Sequence, residues 1–199
     1  MDDAADAVDD DHHRDAVRRF QGIYDAHYRS VTAYARRRTA DPVDAQDVVA
    51  ETFTIAWRRL GELPDDDAIL PWLYGVARRV LANQRRGNRR RDDLTTRLRS
   101  RQAGSADVES VVLASEERRT VLAALARLRG SDQEILRLAV WEELPHREIA
   151  QVLGGSESSV AVRLHRARSR LGREITKEER RRGHEDPGDP GRRAEGHEE

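Results

Sequence analysis

The sequence predicts an all-α chain: two small helical domains joined by a flexible linker, the second a helix-turn-helix domain. Three observations carry this. Apolar residues recur at three-and-four spacing wherever a period is clear, no alternating run is long enough to suggest a sheet, and residues 92–115 interrupt the pattern with small polar residues. Residues 1–14 read as a disordered acidic start, 15–91 as the first domain, 116–176 as the second and 177–199 as a disordered charged tail.

In the first helix, Phe20, Ile23, Tyr24, His27, Tyr28, Val31, Tyr34 and Ala35 form one stripe that ends at Arg36-Arg37-Arg38. Asp41-Pro42 starts the second. Proline suits the first helical position, where its missing N–H is not needed, and Asp41 or Asp44 can cap the free amides. Its stripe is Ala45, Val48, Val49, Thr52, Phe53, Ala56, Trp57 and Leu60. After the breaker segment from Gly61 to Asp67, a third stripe runs through Trp72, Leu73, Val76, Ala77, Val80 and Leu81 into the run Arg85 to Arg91. Beyond the linker, Val121, Leu122, Leu125 and Leu128 make one helix, and Ser131-Asp132-Gln133-Glu134 has capping-box spacing before Ile135, Leu136, Leu138 and Ala139. Pro145 to Leu153 fits a short helix and Gly154-Gly155 a sharp turn. Ser156 fits the N-cap of a last helix running to Leu171 or beyond.

Charged residues make up 37% of the 199, well above the usual quarter or so, and the hydrophobic 37% is thin for one large core. The formal charge of −1 hides strong blocks. Residues 1–17 carry seven acids and one Arg, 78–101 ten Arg and two Asp, 160–182 nine bases and three acids, and 183–199 six acids and two Arg. The acidic ends are complementary to the basic blocks and would shield them when no other polyanion is bound. No stretch approaches the roughly 20 apolar residues of a membrane span, and the acidic start is unlike a signal peptide, so a cytoplasmic chain is expected. Zero Cys excludes disulfide scaffolds and thiolate zinc sites. The seven His are scattered, and no phosphate loop or catalytic triad pattern occurs, so no cofactor, no metal and no enzymatic activity are expected.

On the last helix Val160, Leu164, Ala167 and Leu171 take one face for the core. The outward set includes Ser158, Ser159, Ala161, Val162, Arg163, His165, Arg166, Arg168, Ser169 and Arg170, a composition suited to the major groove, where Arg reaches guanine edges or phosphates. At Leu144 to Gly172 the sequence resembles the promoter −35-binding domain of extracytoplasmic-function RNA polymerase sigma factors. Asp44 to Phe53 with Ala56-Trp57-Arg58 is similar to that family's core-polymerase-binding helix, and Trp72 to Arg79 to its −10 segment.

The resemblance implies that Asp47, Val48, Glu51 and Trp57 bind core RNA polymerase. It implies that Trp72, Arg78, Arg79, Arg85 and Arg86 serve the melted −10 strand, and Ser158, Ser159, Arg163, His165, Arg166, Arg168 and Arg170 the −35 duplex. Its implied partners are core RNA polymerase, promoter DNA and an anti-sigma factor. Independently, Asp47 and Glu51 are like charges at i, i+4, an arrangement that costs a few tenths of a kcal/mol and that a basic partner would repay. Trp57 and Trp72 also lie on apolar stripes, where a core role competes. The chain departs from the family at Ala50, Arg79 and Gly155, and at Ala161 and Val162, which offer no hydrogen bond to a base edge. Two other readings stay open: a stand-alone helix-turn-helix regulator, and a nucleic-acid enzyme using Asp47 and Glu51 with a metal.

Overall fold

A computed structural model describes the backbone of residues 3–95 and 116–185, and side chains within 13–87 and 116–182. The described residues form seven α-helices and one 3-10 turn, with no strand: α1 (Asp3–Arg36), α2 (Pro42–Arg58), α3 (Asp66–Thr95), α4 (Glu116–Ala126), α5 (Gly130–Val140), α6 (His146–Leu153) and α7 (Glu157–Glu185). The 3-10 turn, Leu60–Glu62, lies between α2 and α3.

Helix α2 begins as its sequence dictates, with Pro42 in its first turn and the Asp41 carboxylate accepting from the Val43 amide at 2.8 Å. Helices α1, α2 and α3 pack mutually, burying Val31, Tyr34, Val48, Ile69, Leu73 and Val76 almost completely. Each such aliphatic side chain contributes on the order of 1.5–3 kcal/mol. Buried Thr52 turns its hydroxyl to the Val48 carbonyl at 2.6 Å and so leaves no polar group unsatisfied. In the second module, α7 packs against α4, α5 and α6 around Ile135, Leu138, Ile149, Val160 and Leu164.

Three sequence expectations are corrected. Residues 3–14 are helical, because an Ala-rich, acidic segment extends an already nucleated helix without needing a core of its own. Helix α7 likewise continues through the expected tail to Glu185, and Arg182 donates to the Thr120 hydroxyl at 2.8 Å. The capping box does not form: α5 starts at Gly130 behind Arg129, which makes no side-chain cap, so Ser131 is already inside the helix and Glu134 is free to point elsewhere. The two modules, whose relative orientation the sequence leaves open, pack against each other. α3 packs against α6 about as extensively as α1 against α2, and their apolar residues join one cluster. Most of the expected linker, 96–115, lies outside the described residues, as does 186–199.

Candidate nucleic-acid interface

The last two helices assemble a helix-turn-helix. Ile149, Ala150 and Val152 of α6 are buried beneath α7, whose own Val160, Leu164 and Ala167 face them. Gly154 joins the helices at φ 70°, a left-handed conformation that an L side chain would strain. The Ser156 hydroxyl accepts from the Ser159 amide at 3.3 Å and caps α7. With one face committed to the core, Ser158, Ser159, Val162, Arg163, His165, Arg166 and Arg168 are all exposed. Arg170 is different. It donates to both carboxylate oxygens of Asp132, at 2.9 and 2.8 Å, and so ties α7 to α5, which corrects its expected place among freely projecting residues.

A second basic surface lies on α3, where Arg78, Arg79, Arg85 and Arg86 are exposed and Trp72 is half-buried. Trp72, Arg78 and Arg79 line a cleft of ≈ 520 Å³ whose opposite wall is Gln151 to Gly154 of the second module. The acidic run Asp65-Asp66-Asp67 sits at the α3 N-terminus, where negative charge is favoured by the helix dipole, and Asp67 approaches Arg147 of α6 at 3.6 Å. Side chains of Arg89, Arg90 and Arg91 lie outside the described set.

On α2, Asp47 and Glu51 are exposed beside a groove of ≈ 500 Å³ formed with Thr54, Ile55, Val80 and Asn83. Val48 is 0% exposed and faces the core, so it offers no surface to a partner, a correction that its place on the apolar stripe explains. Trp57 is 39% exposed and packs edge-on against Phe20 at 5.2 Å between ring centres. It is therefore both a packing residue and a surface one. Among the described residues, no group of three or more acidic or His side chains is placed to hold a metal ion, and no helix is long and apolar enough to cross a membrane.

The sequence reading missed one charged cluster, at the end of α1. Arg38 is buried, lies over the Tyr34 ring at 3.5 Å, and donates to Glu134 at 3.0 Å and to Glu142 at 2.9 Å. Arg37 also pairs with Glu142, and the Tyr34 hydroxyl donates to Glu134 at 2.9 Å. Tyr34 stacks on Tyr74, with ring centres 4.7 Å apart. Burial and then the Glu142 charge push the Tyr74 hydroxyl up to about 12, so it stays protonated at neutral pH. Burial would lower the pKa of Arg38, but Tyr34, Glu134 and Glu142 more than reverse that. These partners are separated by roughly a hundred residues, a distance over which no local periodicity signals a contact.

Residues 23–91 match the Sigma-70 region 2 family and residues 118–171 match Sigma-70, region 4. The chain is 30% identical over 167 residues to RNA polymerase sigma factor YlaC of Bacillus subtilis, covering 83% of this chain and 95% of that protein. It is 31% identical over 151 residues to ECF RNA polymerase sigma factor SigL of Mycobacterium tuberculosis, covering 74% and 83%. Two solved structures share the fold. One is the sigma factor RpoE in complex with the anti-sigma factor NepR from Bartonella quintana, with a TM-score of 0.57, 17% identity, and coverage of 83% of this chain and 97% of that one. The other is CnrH in complex with the cytosolic domain of CnrY, with a TM-score of 0.56, 23% identity, and coverage of 79% and 88%. Ordered region 2 and region 4 matches on one helical chain, with sigma factor relatives 30% and 31% identical over most of their length, place it in the sigma-70 family as an extracytoplasmic-function sigma factor acting in transcription initiation.

Proposed function

We propose that this sigma factor docks on core RNA polymerase through the exposed face of α2, reads −35 duplex with the outward face of α7, and favours −10 melting through Trp72 and the α3 arginines. The observation that carries this is the geometry of α7: a capped helix, set by a glycine turn on a short supporting helix, with its core face buried and its Ser- and Arg-bearing face exposed. Asp47 and Glu51 supply the acidic contacts to polymerase and Trp57 an apolar one. Ser158, Ser159, Arg163, His165, Arg166 and Arg168 contact −35 DNA. Arg85 and Arg86 position phosphates, while Trp72, Arg78 and Arg79 hold the unpaired strand by stacking and charge.

Melting needs no covalent chemistry from the chain. A surface that binds unpaired bases better than paired ones shifts the equilibrium to the open promoter by that affinity difference. Because NepR is an anti-sigma factor bound to a sigma factor of the same fold, we propose that an anti-sigma factor also engages this chain.

The test is transcription of sheared genomic DNA by bacterial core polymerase with and without the protein, sequencing RNA 5′ ends. Discrete starts that appear only with the protein, and vanish with Asp47→Arg plus Glu51→Arg, are expected. No new starts, alongside duplex binding by the protein alone, would replace this function with a stand-alone regulator.

A further inference from the structure

We propose that Val162, the apolar residue at the centre of the outward face of α7, selects the −35 element by packing on the 5-methyl group of one thymine, and so is a specificity-determining residue. The proposal rests on the reading of α7 as the −35 helix given above. At about 100° per residue, the core side chains Val160, Leu164, Ala167 and Leu171 centre on one direction, and Val162 lies about 170° from it. Ala161 lies only about 90° from that direction and is half-buried. Of the two neighbours that offer no hydrogen bond to a base edge, Val162 is the one that projects straight outward, and it is 49% exposed. It stands about one and a half turns from the start of α7 at Glu157, within the N-terminal part of the helix that meets base edges in a helix-turn-helix.

The surroundings of Val162 leave this part of the face apolar. Ser158, one turn before it, already shares a hydrogen bond with the Ser156 hydroxyl at 3.1 Å. Ser169, further along the same line, donates to the His165 carbonyl at 3.1 Å. Arg163 and Arg166 flank the valine and are exposed. The arginines suit phosphates and guanine edges, which the valine cannot bind, so the face carries one apolar spot within a basic rim.

In the major groove the 5-methyl of thymine is the one apolar group, and every other feature of the four base pairs is a donor or an acceptor. Packed over thymine, the valine gains apolar contact and strands nothing. Over another base it excludes water from a donor or acceptor that then has no partner. Selection is therefore two-sided, with attraction for thymine and rejection of its competitors. Valine also suits the task by its stiffness, since a β-branched side chain in a helix has one dominant rotamer and loses little freedom when it is buried. At a solvent-facing helix position it has no other advantage, being a poorer helix former than Ala, Arg or Glu.

The test places the full chain on core RNA polymerase and starts from a promoter identified by the start-site experiment above. Each thymine of its −35 element, on either strand, is replaced in turn by deoxyuridine, which lacks only the 5-methyl group. At one position deoxyuridine should lower the transcription rate at limiting holoenzyme about fourfold, the worth of one buried methyl group. Val162→Ala should transcribe both templates equally, at the rate of the parent on deoxyuridine, because either change removes the same contact. Alanine is the better helix former, so circular dichroism should show the variant fully folded. A −35 element without thymine, a parent indifferent to deoxyuridine at every −35 thymine, or a Val162→Ala variant that keeps the fourfold loss would overturn the inference and leave the sigma function standing. If no promoter-specific starts arise, parent and variant are each run alone through selection on a randomised duplex pool. A selected motif whose deoxyuridine loss vanishes in Val162→Ala would then uphold the inference while sinking the proposed function, and the lack of such a motif would overturn both.

Discussion

Two acidic pairs divide the molecule's electrostatics. Asp47 and Glu51 sit one turn apart on α2, exposed, and neither side chain makes a hydrogen bond or ion pair with another described residue. The Glu142 side chain is covered and Glu134 is half-buried, and each is held by Arg38. Identical chemistry therefore does opposite work: the first pair is open to a partner outside the chain, and the second is consumed by a partner inside it. The lesson is that a carboxylate's function depends on where its counter-charge lies, which burial reveals and residue type does not.

The sharpest way to break this comparison is to reverse the exposed pair. Asp47→Arg with Glu51→Arg should cut promoter-specific transcription by about 100-fold or more, as expected when interfacial charge pairs are made repulsive, while urea unfolding moves by less than about 0.5 kcal/mol. A large stability loss would show the pair to be structural. The mirror experiment is Arg38→Ala, which leaves Glu134 and Glu142 without their shared cation. It should destabilise the closed chain by about 3–5 kcal/mol, or by less where module separation hydrates the acids, and a two-step urea transition would distinguish these cases.

Smaller effects sharpen the contrast between predicted and observed caps. Asp41→Ala should cost about 1 kcal/mol in urea unfolding, since the carboxylate holds the Val43 amide, whereas Ser131→Ala should change stability by less than about 0.5 kcal/mol. Equal losses would mean that Ser131 caps after all. The smallest effect is at His27, whose pKa lies below the ordinary 6.5 because burial disfavours the cation, with Asp66 opposing in part. A lowered folded pKa means that the unfolded chain binds the proton more readily, so stability present above pH 6.5 declines as pH falls through the range below it. His27→Gln should flatten that decline between pH 7 and about pH 5.5 in urea midpoints, and an unchanged slope would assign the acid sensitivity elsewhere.

Much of the fold was legible because local rules produced it. The three-and-four stripes named the buried faces of α1, α2, α3 and α7, and Asp41-Pro42 and Ser156 marked helix starts that the structure bears out. The exposed faces of α2 and α7 followed by elimination, since a helix that commits one side to a core must present the other. Where local rules misled, long-range partners had intervened. Glu134 carries capping-box spacing yet turns to Arg38, and Arg170 carries groove-facing charge yet turns to Asp132.

By itself, then, the sequence determined the helices, their core faces, the order of the two modules and the family they belong to, because periodicity, capping and motif spacing act within a few turns of chain. Only the tertiary structure decided that α3 meets α6 at Gly75 and that Arg38 closes on two glutamates about a hundred residues away. Those contacts depend on which surfaces complement one another once the helices exist, a property that no short window of residues contains.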